Sequence, residues 1–127
     1  MIVAGLGFRH GVSAEELLQT LEEAAVAASL PLREVEKVAT AADRSGEAGL
    51  IAAAQRLRVP IVAVGDDELR AADEQITTRS ARVLAGYGVG SVCEAAALAA
   101  AGPGARLKLA RITGPRTACA LAEGPGR

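Results

Sequence analysis

The sequence predicts an α/β domain with a largely parallel sheet that ends in an antiparallel C-terminal hairpin. In the first half of the chain, short apolar runs of strand length alternate with helical stretches rich in alanine. This alternation is typical of right-handed strand–helix–strand units. Near the C-terminus, two strand-like runs flank a turn at Thr113–Arg116, which predicts the hairpin.

The first half of the chain predicts three strands and two helices. A first strand is expected over Met1–Leu6. Ser13 and Glu16 have the spacing of a capping box and predict a helix that ends before Pro31. The elements that follow are a second strand, a helix capped by Ser45, and a third strand buried on both faces: Arg33–Thr40, Leu50–Leu57 and Ile61–Val64.

The second half is less regular. Residues 65–78 predict an acidic loop with one short helix, whereas residues 79–84 fit a strand or a helical turn equally well. Ser91 and Glu94 repeat the capping spacing before a helix that ends at residues 102–104. Two strands and a loose tail complete the chain: Leu107–Ile112, Thr117–Leu121 and Gly124–Arg127.

Composition limits the classes of protein that this chain belongs to. Its 127 residues are predicted to form a single domain, residues 1–127. A formal net charge of −1 argues against nucleic acid as a partner. No apolar run has membrane-spanning length, and the start of the chain lacks the features of a secretory signal. We therefore expect a cytoplasmic protein that does not bind a membrane.

Two cysteines are present without CxxC spacing and without clustered histidines. This pattern predicts that Cys93 and Cys119 are small core residues and not metal ligands or a disulfide. No metal site and no cofactor are expected.

The rarest side chains lie in two glycine-rich segments. The sole Phe and the sole His occur in Gly5–Gly11, and the sole Tyr in Gly86–Gly90. Each segment precedes a helical stretch that opens with a serine. The spacing predicts strand-to-helix turns whose backbone amides are exposed to an anionic ligand.

The first turn supplies five candidate ligand-binding or catalytic residues. Gly5 and Gly7 are expected to let the backbone approach an anion closely, and Arg9 to hold a carboxylate through two parallel hydrogen bonds. His10 is a candidate acid or base near neutral pH. Phe8, together with Tyr87 of the second segment, is expected to stack on a planar ligand. The alternatives are a solvated arginine, a surface histidine bonded to a carbonyl, and ordinary buried aromatics.

The second turn supplies Ser91, Val92 and Glu94. In one interpretation Ser91 and the first helical amides, beginning at Val92, bind an anion while Glu94 acts as a base. In the other, Ser91 and Glu94 simply cap the helix. Both interpretations remain open from the sequence.

A dinucleotide site is a further alternative. Gly5-x-Gly7 follows a predicted strand and precedes a helix, as in nucleotide-binding α/β domains. The third glycine falls at Gly11, one position late, and the second strand does not end in an acidic residue. The pattern therefore favours a generic anion site over NAD or FAD.

The segment Gly88–Gly102 resembles the signature of the cobalamin-biosynthesis family that comprises CobE and the C-terminal domain of CbiG. The segments Gly5–Gly11, Glu47–Ala54 and Thr117–Leu121 occur in the matching order. The resemblance implies a three-layer α/β fold and a role in building the corrin ring. Where the family often has Pro-Lys, this chain has Ala110-Arg111, which keeps the positive charge.

The resemblance implies a corrin or precorrin intermediate as partner. Whole CbiG opens the lactone of a cobalt-precorrin and releases acetaldehyde, but a chain this short is expected to lack the N-terminal part of that protein. The leading hypothesis is therefore a carrier, or an accessory factor to a precorrin methyltransferase. The competing hypothesis is an enzyme that opens a lactone or rearranges the macrocycle through Glu94 or His10. Arginines are expected to hold the carboxylate fringe: Arg9, Arg79, Arg82 and Arg111.

Overall fold

Five strands form one mixed sheet in the computed structural model, which describes residues 1–73 and 91–126. The strands are β1 (Ile2–Phe8), β2 (Val35–Ala41), β3 (Ile61–Val64), β4 (Arg106–Thr113) and β5 (Thr117–Glu123). Their order across the sheet is β3-β2-β1-β5-β4. β1 is parallel to β2, which is parallel to β3, whereas β5 runs antiparallel to both β1 and β4. The predicted mixed sheet with its C-terminal hairpin is confirmed.

Helices cover both faces of the sheet. Helices α1 (Ala14–Ala27) and α2 (Ala48–Leu57) pack on one face, where α1 and α2 leucines meet the side chains of β1 that point that way. Helices α3 (Asp66–Ala71) and α4 (Val92–Ala101) pack on the other face. The three-layer fold predicted from the sequence is thus confirmed. No helix within residues 1–73 and 91–126 is long and apolar enough to cross a membrane.

α4 lies unusually close to the sheet. Eight of its residues are buried, six of them alanines or the cysteine Cys93, so its side chains add little thickness between helix and strand. Gly5 of β1 completes this contact, since a Cβ at Gly5 would overlap the carbonyl oxygen of Cys93 and lie 2.8 Å from the nitrogen of Ala97. Glycine is therefore required in β1 for close packing.

α1 begins as the sequence predicts. The Ser13 hydroxyl accepts a hydrogen bond from the Glu16 N–H at 3.1 Å, and the Glu16 carboxylate accepts from the Ser13 N–H at 3.0 Å. Both partners lie within one helical turn of each other, which is why the sequence alone identifies this cap.

α2 begins differently from the prediction. Its N-cap is Glu47 and not Ser45, because a turn of 3₁₀ helix over Ala42–Arg44 precedes it. The Ser45 hydroxyl donates to the Ala42 carbonyl at 2.8 Å and so closes that turn instead of capping α2. Local side-chain to backbone bonds of this kind compete with helix capping.

β3 is an edge strand, so the expectation that both its faces are buried is wrong. Val64 is buried, Ile61 and Val62 are half-buried, and Ala63 is exposed. The predicted short helix after β3 is present as α3. The predicted stretches at residues 79–84 and 86–90, with Tyr87, lie outside the described residues.

The C-terminal tail is held in place up to Gly126 and is not loose. The amino group of Met1 donates to the Gly124 carbonyl at 3.0 Å, and the Gly124 N–H donates to the Met1 carbonyl at 3.1 Å. The Gly126 N–H donates to Ala101, the last residue of α4, at 2.7 Å. The two ends of the chain therefore lie side by side.

Candidate functional site at the carboxyl edge of the sheet

The carboxyl ends of β1 and β2 lie at the same edge of the sheet because the two strands are parallel. The loop at residues 9–13 leaves this edge from β1, and the segment at residues 42–47 leaves it from β2. Phe8 pairs with Thr117, so the turn between β4 and β5 lies at this edge too. We call this part of the molecule the carboxyl edge.

α4 also begins at the carboxyl edge. Its first turn contacts the middle of β1 at Gly5, and its last residue, Ala101, contacts Gly124 beyond the end of β5. α4 therefore runs antiparallel to β1 and begins near the end of β1, on the face opposite α1. The loop after β1, the segment after β2 and the N-terminus of α4 therefore approach the same edge from the two faces of the sheet. In open α/β sheets, ligands bind outside the carboxyl ends of the parallel strands.

Gly5 and Gly7 do not form the predicted turn. Both lie inside β1, where Gly5 pairs with Ala39 and Ala120 and Gly7 pairs with Ala118. The chain turns only after β1. Within the segment Gly5–Gly11, the glycine with left-handed backbone geometry is Gly11, at φ 84°. The dinucleotide interpretation thereby loses its geometric basis, because that motif needs its first glycines in the turn itself.

Arg9 and His10 project from the loop at the carboxyl edge, and both are exposed. The Arg9 N–H donates to the Arg116 carbonyl at 3.1 Å, and the Val12 N–H donates to the Arg9 carbonyl at 3.1 Å. The backbone of this loop is thus tied to the β4–β5 turn. Among residues 1–73 and 91–126, the Arg9 guanidinium forms no hydrogen bond or ion pair, so it is available to a ligand.

His10 is bonded to a carboxylate and not to a carbonyl as the alternative reading expected. Its Nδ1 lies 3.1 Å from Oε1 of Glu47, the N-cap residue of α2. The same oxygen accepts the N–H of Gly11 at 3.3 Å. The His10 side chain is 93% exposed, whereas that of Glu47 is only 12% exposed.

Two arginines that were not predicted from the sequence also lie at the carboxyl edge. Arg44, in the turn after β2, donates from Nη1 to the Phe8 carbonyl at 3.4 Å. Arg116, in the β4–β5 turn, lies with its Nε 3.3 Å from a carboxylate oxygen of Glu16. For Arg44 the available signal was its place after the second of two parallel strands, which end at one edge. For Arg116 the available signal was only its place in the predicted hairpin turn, because the antiparallel pairing of β5 with β1 brings that turn to the edge.

Phe8 is half-buried at the end of β1 and packs against the apolar cluster under α1 and α2. This position is intermediate between the two interpretations of Phe8 from the sequence, a ring that stacks on a ligand and an ordinary buried aromatic. The side chain contributes to the core and remains partly accessible at the end of β1.

Ser91 caps α4 and is fully buried. Its hydroxyl accepts the Glu94 N–H at 3.5 Å and lies 3.6 Å from the Cys93 sulfur. Val92, the first residue of the helix, is half-buried. Ser91 therefore caps the helix, as one of the two interpretations predicts. The N-terminus of α4 also points toward the carboxyl edge.

Glu94 is also fully buried, and it links α4 to β4. Its Oε2 accepts the backbone N–H of Arg111 at 3.0 Å. The Arg111 side chain is half-buried on the same side of the sheet, close enough to Cys93 that its charge acts on the thiol. Burial is the larger effect and raises the pKa of Cys93 to about 11. Burial raises the pKa of Cys119 further still.

Both cysteines are free and buried, as the sequence predicts. No group of three or more potential metal ligands occurs within the described ranges. Two open depressions lie away from the carboxyl edge: one lined in part by Arg33, Arg56 and Arg58, the other between α3 and the end of α4. Neither includes a residue that the sequence predicted for the site.

The fold and its carboxyl edge define the class of the protein: a three-layer α/β domain with a mixed sheet, whose parallel strands β1 and β2 end in adjacent loops at one edge. The sequence profile of the family described as cobalamin synthesis G C-terminus matches residues 2–122. The chain belongs to this family and is a cobalamin-biosynthesis protein of the CobE and CbiG group.

Individual relatives agree with this assignment. Protein CobE from Sinorhizobium sp is 33% identical over 121 residues, which cover 95% of this chain and 79% of the relative. The crystal structure of CobE, a protein from the cobalamin (vitamin B12) biosynthetic pathway, superposes with a TM-score of 0.92 at 32% identity, covering 100% of this chain and 92% of that one.

A second structure is equally similar in sequence. The cobalamin biosynthesis protein chiG from Agrobacterium tumefaciens str. C58 has a TM-score of 0.78 at 32% identity, covering 98% of this chain and 99% of that one. A cobalamin biosynthesis protein G homolog from Sulfolobus solfataricus shares the fold at a TM-score of 0.73 and 22% identity. The match covers 95% of this chain and 36% of that one.

Proposed function

We propose that the carboxyl edge binds a carboxylate-rich corrin or precorrin intermediate of cobalamin biosynthesis. Three guanidinium groups, of Arg9, Arg44 and Arg116, lie on the three loops that meet there. The convergence of these three guanidinium groups, among the carboxylates of Glu16, Asp43 and Glu47, is the observation that carries the proposal. Corrin precursors are flat and apolar at the centre, and their acetate and propionate groups match guanidinium in charge and geometry.

Other features of the edge support the same ligand. The N-terminus of α4 adds the positive end of a helix dipole on the face opposite α1. The accessible part of Phe8 offers an apolar surface beside the arginines. Membership of a cobalamin-biosynthesis family supplies a pathway whose intermediates have this chemistry.

A carrier or accessory role fits the geometry better than catalysis by Glu94. The Glu94 carboxylate is fully buried and bound to the Arg111 N–H, so a ligand at the surface does not reach it without a movement of α4 or β4. We therefore propose that the protein binds the intermediate and delivers it to another pathway enzyme, such as a precorrin methyltransferase. The enzymatic alternative, opening of a lactone or rearrangement of the macrocycle, requires turnover that Glu94→Gln abolishes.

Titration of the purified protein with hydrogenobyrinic acid and with earlier precorrins, followed by visible absorption, tests the proposal. We expect a shifted spectrum that saturates at equimolar ligand. Arg9→Gln and Arg44→Gln are each expected to weaken binding about tenfold, since a hydrogen bond between two charged groups contributes roughly 1.5 kcal/mol or more.

Arg33→Gln and Arg106→Gln provide matched controls. Both arginines are exposed, and both lie at the opposite edge of the sheet, before β2 and at the start of β4. Each control removes the same charge from the protein as the test variants. Equal weakening in the controls, or an unchanged spectrum with every macrocycle while circular dichroism shows a folded protein, would refute the proposal.

A further inference from the structure

We propose that Glu47 is a positioning residue for His10: it holds the imidazole as the Nδ1–H tautomer, so that the Nε2 lone pair accepts an N–H or O–H group of the bound ligand. The identity of that ligand as a tetrapyrrole intermediate rests on the proposed function. The pairing of Glu47 with His10 rests on the geometry of the carboxyl edge alone.

The hydrogen-bonding chemistry of the two side chains fixes the position of the proton. An ionised carboxylate only accepts hydrogen bonds, whereas each nitrogen of a neutral imidazole is either a donor or an acceptor. Oε1 of Glu47 lies 3.1 Å from Nδ1 of His10, so Nδ1 carries the proton in this contact. Nε2 is then the acceptor.

The carboxylate is the anchored partner of the pair. The Glu47 side chain is 12% exposed, and its Oε1 is also held by the Gly11 N–H at 3.3 Å. The backbone of Glu47 is fixed as well, since its carbonyl accepts the Ile51 N–H at 3.1 Å in the first turn of α2. Gly11 has φ 84°, a geometry that favours glycine, and this turn aims its N–H at Glu47.

The imidazole of His10 is the partner that is exposed to solvent and to a ligand. The His10 side chain is 93% exposed, so with Nδ1 turned toward Glu47 the remaining nitrogen faces solvent. A histidine held through one ring nitrogen by a largely covered carboxylate, with the other nitrogen open, has the arrangement of an oriented acceptor or base.

His10 adds to the carboxyl edge a capability that its arginines lack. Guanidinium groups donate and never accept, so Arg9, Arg44 and Arg116 are suited to the carboxylates of a ligand. Nε2 is suited to the opposite group, a pyrrole-type N–H or a hydroxyl. The two kinds of side chain together would orient a macrocycle that carries both kinds of group.

Nuclear magnetic resonance of the ¹⁵N-labelled protein tests the pairing without any ligand. The chain has a single histidine, so the imidazole nitrogens give one unambiguous set of signals. In spectra recorded at about pH 8 we expect a protonated Nδ1 and an unprotonated Nε2. Glu47→Ala is expected to shift the ring toward the Nε2–H tautomer that free histidine side chains prefer.

Glu15→Ala is the matched control. Glu15 lies at the start of α1, where it forms an ion pair with Arg56 of α2, and it is not a partner of His10. It should leave the tautomer unchanged. A wild-type ring in the Nε2–H form overturns the proposal by itself, even where Glu47→Ala fails to fold. Identical tautomer populations in wild type and folded Glu47→Ala overturn it too.

The acceptor role is tested with hydrogenobyrinic acid as the probe. His10→Phe removes the acceptor and is expected to weaken binding about tenfold, while His10→Gln keeps an acceptor oxygen and should weaken it less. Binding by His10→Phe that equals wild type overturns the acceptor role. Absence of binding by the wild type refutes the proposed function, whereas the tautomer measurement still decides the pairing with Glu47.

Discussion

Replacing Gly5 by alanine should destabilise the protein far more than the same change at Gly7. A Cβ at Gly5 would lie 2.9 Å from the Cβ of Ala97 and would overlap the Cys93 carbonyl oxygen. Carbon atoms in good contact are about 3.5–4.0 Å apart, so relief of the Ala97 contact alone requires α4 to retreat by about 1 Å. The overlap with the Cys93 carbonyl oxygen requires a larger displacement. Because α4 is buried along most of its length, this retreat opens gaps along its whole contact with the sheet.

The expected cost follows from that retreat. Adding a methyl group to a fully packed contact typically destabilises a protein by about 1–3 kcal/mol, and the backbone overlap at Gly5 points to the upper end. For a domain of this size, about 3 kcal/mol corresponds to a fall of roughly 12 °C in the melting temperature. Thermal unfolding followed by far-ultraviolet circular dichroism measures it directly.

Gly7→Ala is the control, since Gly7 lies on the same strand and, among residues 1–73 and 91–126, its added Cβ would meet only the Cβ of Ala118, at an ordinary 3.7 Å. Its melting temperature should stay within a few degrees of wild type. Equal melting temperatures for the two variants would show that α4 does not depend on Gly5 for its position. The reasoning about the start of α4 at the carboxyl edge would then fail.

Three other outcomes are expected. Ser13→Ala should lower the free energy of unfolding by about 1 kcal/mol in urea, because α1 loses its side-chain cap, and an unchanged midpoint would contradict this. Cys93 and Cys119 should be inert toward a thiol reagent at about pH 8 in the native protein and react fully in denaturant, since burial raises both pKa values. Native reactivity would argue against the packing of α4. The hydrogen bond from the Ser13 N–H lowers the pKa of Glu16 in the folded protein. This bond therefore stabilises the fold at pH values above the pKa that Glu16 has in the unfolded chain, and the stabilisation is lost as the pH falls. Glu16→Gln should flatten the loss of stability between about pH 5 and pH 3, and parallel curves for the two proteins would refute this.

The sequence is most informative where the cause of a structure is local. The capping box at Ser13 and the hairpin at Thr113–Arg116 depend on residues a few positions apart, and both form as predicted. Ser45 fails as a cap for a reason that is also local but harder to foresee, because a 3₁₀ turn competes for the same hydroxyl.

Features set by tertiary structure are less accessible from the sequence. The apolar content of Ile61–Val64 predicts a strand, but the place of β3 at the edge depends on the order of all five strands. Gly5 follows the pattern of a phosphate-binding turn, and only the proximity of α4 shows that it serves packing. A glycine required by a neighbouring helix and one required by a turn look alike in a sequence.

The candidate site shows the same division. Arg9 and His10 were identified because they stand in a glycine-rich loop, and both prove to be exposed at the carboxyl edge. The sequence indicates Glu47 only as the first residue of the segment Glu47–Ala54, since its contact with His10 joins residues 37 positions apart. Arg44 and Arg116 reach the same edge through the sheet topology, which is not visible in any single segment.

The mutual bonds between Met1 and Gly124 have a practical consequence for handling this protein. Met1 and Gly124 lie together at the amino end of β1, at the opposite edge of the sheet from Arg9 and His10. A purification tag attached to either end therefore sits away from the loops that would receive a macrocycle. A short linker joining the two ends would likewise allow new termini to be opened elsewhere in the chain, with those loops left intact.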